Sequence, residues 1–376
     1  MKKKLLLIIG LSVALSATAL AQGAGKIWYD AGKLYVNVVN RGILVIDNTN
    51  AVSPQKLGFI SIPGNVDLAV RGNIVLANNF DDLVAIDISQ LEKPKILDRV
   101  DVVFPHRGNS HGQERIAWEV QSRAFTPEEL MARNDFTINS SDMPTVGGGN
   151  GGGNMGGSQG GSMSCFALSG DYLYAVNDEE LHLFNIKNPK KLDKLTNKVK
   201  VGEDIETVFA KGDKLYIGSQ KGMYIYGLDD PTNPEGLGVY EHVRACDPVV
   251  VDGKYAYVTM RNGSQCNRAV NQLDVVDISD PRNPRKVQTY RMTNPHGLGK
   301  DGNLLFVCDG KAGLKVVDAS SPRSLRTIQR FEDIDTYDVI PVSERKLLIM
   351  VGSNKISQYD YQDERDVMLL SEIGID

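Results

Sequence analysis

One stretch in the second half of the chain reads Val275-Val276-Asp277-Ile278-Ser279-Asp280-Pro281-Arg282-Asn283-Pro284. A short run of β-branched residues ends in Asp277, and a turn containing two prolines follows it directly. β-branched residues favour strands. An Asp before a turn accepts a hydrogen bond from the backbone two residues later, and proline fixes its own φ angle. The stretch therefore predicts a strand, a tight turn and a further strand, with the Asp as a turn former rather than a catalyst.

The same pattern recurs along the chain, and each copy begins with a tight turn that usually contains glycine. The first turn and the closing residue of the seven copies are Gly32 and Asp47, Gly72 and Asp87, Gly170 and Asn185, Gly212 and Tyr226, Gly253 and Asp277, Gly302 and Asp318, and Lys346 and Asp360. The distance is 40 residues from Gly32 to Gly72 and 41 residues from Gly212 to Gly253. Units of about 42 residues with short strands are typical of a β-propeller. We therefore predict an all-β propeller of seven four-stranded blades.

Three of these segments resemble a known repeat. Leu44-Val45-Ile46-Asp47, Val275-Val276-Asp277 and Val316-Val317-Asp318 are similar to the LVIVD repeat, which occurs in exported bacterial β-propellers. The resemblance extends over the repeated part of the chain. It implies a cell-envelope or secreted propeller and no particular reaction.

The N-terminus has the features of a secretory signal peptide. Lysines at positions 2–4 precede an apolar run at 5–15, and Ala17, Ala19 and Ala21 supply small residues for cleavage. This order predicts a signal peptide at residues 1–21 and a periplasmic, extracellular or cell-surface location. No Cys lies near the cleavage site and no second long apolar run follows. We therefore expect neither a lipoprotein anchor nor a transmembrane span.

Overall composition is that of a globular protein, with 41% hydrophobic and 24% charged residues. Lys and Arg total 42 against 47 Asp and Glu, so the formal net charge is −5. A general nucleic-acid binder needs a basic face. The charge balance argues against that class of partner.

One unit of the repeat is interrupted by a long insertion. Gly72 and Gly170 are 98 residues apart, which predicts blades 1 and 2 at residues 22–103, an insertion at 104–164 and blades 3 to 7 at 165–376. Thr126-Pro127-Glu128-Glu129 has the capping pattern of a short helix. Residues 147–161 contain ten glycines and predict a flexible tether.

A second, smaller irregularity lies in the fifth unit, where Gly253 and Asp277 are 24 residues apart instead of 15. The extra residues fall within 259–272, between the second and third strands. Strands alternate in direction within a blade, so this connection and the connection between blades emerge on the same face. Elaborated loops on a rigid scaffold often carry binding sites. Both irregularities therefore point to one decorated, binding face.

Polar residues are predicted where the innermost strands begin on that face, at the mouth of the central channel. The candidates are Asp67, Glu206, Asp247, His296 and Asp338. Carboxylates suit hard cations and imidazole suits transition metals, so Glu206, Asp247 and His296 are candidate ligands of a divalent metal. The same residues are equally compatible with a polar or cationic ligand, or with a solvated channel mouth.

The four cysteines allow three complete pairings. Cys246 falls at the start of an innermost strand and Cys266 in the extended loop of the same blade. We expect a disulfide between them that would staple this loop over the channel mouth. The chain contains no C-x-x-C motif, so redox catalysis has no support.

No motif decides whether the chain is an enzyme. Our first hypothesis is an exported or envelope-associated binding module whose partner is an envelope protein, a glycan or a small polar ligand. The alternatives are a metal-assisted hydrolase or lyase at the channel mouth, and a structural component of an envelope assembly. The sequence makes no prediction of the oligomeric state.

Overall fold

The computed structural model of the chain describes residues 24–104, 159–188, 190–196, 198–242, 248–262 and 270–375. The predicted signal peptide and most of the insertion, including its predicted helix and nearly all of its tether, lie outside these ranges. The described residues form seven antiparallel sheets of consecutive strands, and the first sheet gains one further strand from a later part of the chain. This confirms the prediction of a seven-bladed β-propeller.

Blades 1 and 2 precede the insertion, and blade 3 follows it. Blade 1 consists of β1 (Ala24–Asp30), β2 (Lys33–Val38), β3 (Gly42–Asp47) and β4 (Gln55–Ser61). Blade 2 consists of β5 (Leu68–Arg71), β6 (Ile74–Asn79), β7 (Asp82–Asp87) and β8 (Lys95–Val100). A short strand, β9 (Gln159–Gly160), follows the insertion and pairs with β1. Blade 3 consists of β10 (Phe166–Ser169), β11 (Tyr172–Val176), β12 (Glu180–Asn185) and an outer strand broken into β13 (Asp193–Lys194) and β14 (Val199–Lys200).

The remaining four blades follow without interruption. Blade 4 consists of β15 (Ile205–Lys211), β16 (Lys214–Ser219), β17 (Gly222–Gly227) and β18 (Glu235–Glu241). Blade 5 consists of β19 (Val249–Asp252), β20 (Tyr255–Met260), β21 (Gln272–Asp277) and β22 (Arg285–Arg291). Blade 6 consists of β23 (Leu298–Asp301), β24 (Leu304–Cys308), β25 (Leu314–Asp318) and β26 (Arg326–Phe331). Blade 7 consists of β27 (Asp338–Val342), the 3₁₀ helix η1 (Ser343–Arg345), β28 (Leu347–Val351), β29 (Lys355–Asp360) and β30 (Met368–Gly374).

The recurring Asp residues form the turns that the sequence predicted. Asp277 accepts a hydrogen bond from the backbone N–H of Ser279 at 2.9 Å, and Asp47 accepts one from Thr49 at the same distance. In blade 6, hydrogen bonds from Ser320 and then from the Arg326 guanidinium lower the pKa of Asp318 to about 2. These carboxylates are therefore engaged by their own turns.

Blades 7 and 1 close the ring by side-chain contacts rather than by a shared strand. The amides of buried Asn48 and Gln358 bond each other in both directions at 2.8 Å. The Arg345 guanidinium donates to the Tyr29 hydroxyl at 2.9 Å and to the carbonyl of Asn48 at 2.7 Å. A paired amide satisfies polar groups that would be costly to bury alone.

The first turn of each blade requires a left-handed backbone, as Gly253 shows with φ of 55°. A residue with a β-carbon is strained in this region even where space is available. We expect Gly253→Ala to lower the free energy of unfolding by about 1 kcal/mol. Urea unfolding measures this loss.

Gly374→Ala is the matched control, because Gly374 lies outside the left-handed region. At both positions, no neighbouring atom lies within 4 Å of the site that a β-carbon would occupy. The control should leave the stability nearly unchanged. Equal losses in the two variants would contradict the role assigned to the turn.

Candidate functional site at the channel mouth

The innermost strands of the seven blades begin on one face of the propeller, which we call the upper face, and end on the lower face. The connections between blades and between second and third strands lie on the upper face. In blade 1, the N–H of Asn40, between β2 and β3, donates at 2.7 Å to the carbonyl of Asn65, in the connection to blade 2. In blade 2, the N–H of Phe104, after β8, donates at 2.8 Å to the carbonyl of Asp81, between β6 and β7. The last described residue before the insertion, Phe104, therefore lies on the upper face.

The central channel is occupied by residues 159–164, which we call the channel segment. Its strand β9 runs antiparallel to β1, with Gly160 opposite Trp28 and Gln159 opposite Tyr29. The backbone N–H of Gly161 continues this pairing with a bond to the carbonyl of Ile27 at 3.2 Å. The propeller axis is thus filled by the chain itself.

The channel segment runs from the lower end of β1 toward the upper face. Gln159 lies opposite Tyr29, near the lower end of β1. Ser164 lies beside Asp67, just before β5 begins on the upper face. The face that the insertion itself decorates stays a prediction.

Asp67 fixes the upper end of the channel segment. Its carboxylate accepts hydrogen bonds from the Ser164 hydroxyl at 2.8 Å and from the backbone N–H of Cys165 at 2.6 Å. The Lys26 ammonium forms an ion pair with it at 3.0 Å, and both side chains are 2% exposed. An ion pair buried to this extent is stabilising only when hydrogen bonds satisfy its remaining valences, as they do here.

Asp338 holds the middle of the channel segment. Its Oδ1 accepts from the backbone N–H and the hydroxyl of Ser162, each at 3.2 Å, and from the backbone N–H of Val339 at 2.9 Å. The same hydroxyl accepts from the backbone N–H of Leu298 at 2.8 Å, so Ser162 links blades 6 and 7.

The Asp338 carboxylate packs closely against glycine. A β-carbon on Gly161 would lie 1.9 Å from Oδ2, and one on Gly297 would lie 2.1 Å from Oδ1. Within the described residues, Oδ2 has no hydrogen-bond partner. Complete burial raises the pKa of Asp338 to about 6, although the nearby Lys26 charge acts in the opposite direction.

Little space is left around the channel segment. Gly160 and Ser162 line a cavity of about 30 Å³ together with residues of the innermost strands of blades 4 to 7. This volume holds roughly one or two water molecules. Among the described residues, the channel segment therefore packs closely against these innermost strands.

Glu206 and His296 have different surroundings from those of the two aspartates. Glu206 accepts a hydrogen bond from the Gln220 side chain at 3.1 Å. His296 contacts the Asn294 amide at 3.1 Å and the Tyr337 ring at a centroid distance of 5.4 Å. Burial and the Arg261 charge lower the pKa of His296 to about 4, so its imidazole is neutral at pH 7.

The structure thus joins two of the five predicted site residues, Asp67 and Asp338, through Lys26 and the channel segment. Across the described ranges, no three His, Cys, Asp or Glu side chains form a group that could hold a metal ion. Asp247 lies outside those ranges, as do Cys246 and Cys266. The metal site at Glu206, Asp247 and His296 and the disulfide accordingly stay predictions.

The sequence reasoning counted Ser164 among the polar residues where the innermost strands begin, but it missed Lys26 and Ser162, which complete this network. Two signals were present in the sequence. Lys26 is a cation among the otherwise uncharged residues 24–29, and Ser162 and Ser164 alternate directly after Gly160-Gly161. Alternation with a period of two is a strand pattern.

Comparison with known protein families matches the LVIVD repeat at residues 244–292 and 301–333. The chain is therefore a seven-bladed β-propeller that carries LVIVD repeats. Comparison with curated proteins gave no match. Within the described ranges, no helix has the length and apolar character needed to cross a membrane.

Solved structures with the same fold include Hsv2 from Kluyveromyces lactis and the computationally designed Ika8 protein. The Hsv2 structure is 12% identical, with 94% of this chain and 100% of that chain covered and a TM-score of 0.55. The Ika8 structure is 11% identical, with 94% of this chain and 87% of that chain covered and the same TM-score. Identities this low show the fold alone.

The raised pKa of Asp338 makes stability depend on pH. The folded state binds this proton more tightly than the unfolded chain, so stability falls as the pH rises from about 4 through about 6. We expect Asp338→Asn to be more stable than the wild type at pH 7.5, by about 2 kcal/mol, and to lose most of that advantage at pH 4.5. Urea unfolding of both proteins at the two pH values measures the difference. The histidines titrate in both proteins, so their contributions cancel in the stability difference. An equal difference at both pH values would therefore contradict the raised pKa of Asp338.

Proposed function

We propose that this protein is an exported binding module that captures a partner at the cell envelope through the upper face of its propeller. A propeller with LVIVD repeats fits a protein-interaction module, and such repeats are typical of exported proteins. The sequence supports export further through the signal peptide predicted at residues 1–21. The partner would be an envelope protein, a glycan or a small polar ligand.

The observation that carries this proposal is the occupied channel. Asp67 and Asp338 bond the channel segment and its continuation, so these two predicted site carboxylates are already engaged. A ligand must then be recognised on the outer surfaces of the propeller. This favours a binding module over a hydrolase or lyase that uses the channel.

The long connections of the upper face are attached firmly to the scaffold where they begin and end. The Phe104 ring packs on Phe166 at a centroid distance of 5.3 Å, where the insertion begins. In blade 5, the N–H of Asn262 donates to the Asn271 side chain at 3.0 Å, and the Asn271 amide donates to the carbonyl of Thr293 at 2.6 Å. Rigid attachment lowers the entropy cost of presenting loops to a partner.

The test replaces residues 107–146 with a Gly/Ser linker of equal length, which keeps residues 147–165 and hence the channel segment. We expect the purified variant to keep the wild-type melting temperature, because it retains every contact described above. We expect its affinity for an envelope partner, captured with the wild type and then purified, to fall at least about tenfold. Isothermal titration calorimetry measures the affinity of both proteins.

The matched control exchanges residues 147–157 for another Gly/Ser sequence of equal length, and we expect it to bind like the wild type. Equal affinity of the wild type and the 107–146 variant would contradict the role proposed for the insertion. A loss of binding in the control as well would point to the tether instead.

A further inference from the structure

A recurring aromatic ring fills the junctions between neighbouring blades. The structure describes the third residue of the second strand in all seven blades, and this residue is aromatic in five of them. The residues are Tyr35, Leu76, Tyr174, Tyr216, Tyr257, Phe306 and Ile349.

Two examples show what this ring does. In blade 3, the Tyr174 hydroxyl donates to the carbonyl of Pro231, in the turn before the outer strand of blade 4. In blade 6, the Phe306 ring meets the Tyr361 ring of blade 7 edge-on, at a centroid distance of 5.2 Å. The side chain at this position therefore occupies the junction with the following blade.

Blade 2 lacks this ring. It has Leu76, which pairs across the strands with Ala85, whereas Tyr174 of blade 3 pairs with Leu183. Blade 7 also lacks the ring, but there the Asn48–Gln358 amide pair fills the junction. The junction between blades 2 and 3 instead keeps a cavity of about 430 Å³.

The floor of this cavity is apolar and its rim is rich in cations. Leu76, Ile186 and Leu192 form the floor, and each is nearly fully buried. Arg71, Lys187 and Lys191 lie at the rim.

The rim cations are only partly neutralised by the protein. Arg71 pairs with Asp171 at 2.7 Å, and Lys191 pairs with Asp193. Lys187 forms no ion pair with any residue that the structure describes. Asp87 also lines the cavity, and its carboxylate accepts a hydrogen bond from the Ser89 backbone at 2.8 Å.

We propose that the cavity between blades 2 and 3 binds a small aromatic ring carrying an anionic group, such as an aromatic carboxylate. The aromatic ring of the ligand takes the place that the side chains of Tyr174 and its counterparts fill in other blades. The anion lies at the rim, where Arg71 and Lys187 supply positive charge. The volume is within the range of roughly 300 to 1,000 Å³ that is usual for small-molecule sites. This site is separate from the upper face and does not depend on the function proposed above.

The test titrates the full chain with 4-hydroxybenzoate and with the uncharged 4-hydroxybenzyl alcohol, followed by protein NMR. We expect saturable binding of the acid at millimolar concentration, with binding of the alcohol at least fivefold weaker. Absence of saturable binding of the acid, or equal affinity for both compounds, would overturn the proposal.

Two variants locate the site. Leu76→Tyr supplies the missing ring, and we expect it to weaken binding of the acid at least tenfold without lowering the melting temperature. Lys187→Gln removes charge from the exposed rim and should weaken binding about threefold, whereas Lys286→Gln in blade 5 should have no effect. Unchanged affinity in folded Leu76→Tyr would overturn the proposal. If that variant does not fold, equal affinities of the two lysine variants would overturn it.

Discussion

The buried carboxylates of Asp67 and Asp338 hold the axis of this propeller together. Seven innermost strands surround a channel, and polar groups that face it are costly to bury without partners. The chain meets this requirement with its own channel segment and the Cys165 that follows it, whose hydroxyls and backbone amides bond the two carboxylates. Lys26 adds a buried positive charge to the same network. The channel segment therefore contributes to the core of the fold, although its first three residues belong to the glycine-rich stretch at 147–161.

This packing separates the roles of the different surfaces. The channel holds residues 159–164 of the chain itself, which pack against the innermost strands. The upper face carries the beginning of the insertion and the long connection of blade 5, both fixed to the scaffold at their described ends. The junction between blades 2 and 3 retains an open cavity because Leu76 replaces the ring found in most blades. Partner recognition and small-ligand binding would thus use separate parts of one ring.

The repeat made the fold predictable from sequence. Gly253 and its counterparts marked the first turns, and Asp277 and its counterparts marked the turns after the third strands, because both are local backbone requirements. The channel segment was not predictable in this way. β9 has only two residues and no apolar alternation, and its pairing with β1 spans a distant part of the sequence.

The candidate site was predicted only in part for a related reason. Asp67 and Asp338 were placed at the channel mouth as the polar residues nearest to the starts of their innermost strands, but spacing within a repeat carries no information about what enters the channel. Counting back from the turn glycines grouped His296 with them, whereas the structure surrounds it with Asn294 and Tyr337. The cavity beside Leu76 could have been found from sequence, by comparing one strand position across all seven repeats.

Amide hydrogen exchange of the channel segment tests the central claim most directly. The backbone N–H groups of Gly161 and Ser162 in the segment, and of Cys165 directly after it, donate to Ile27, Asp338 and Asp67, at distances between 2.6 and 3.2 Å. If the segment is part of the propeller core, these amides will exchange as slowly as that of Cys308, whose N–H donates to Gly297 within blade 6 at 3.0 Å. Exchange at the rate of an unstructured peptide, with Cys308 still protected, would contradict the account.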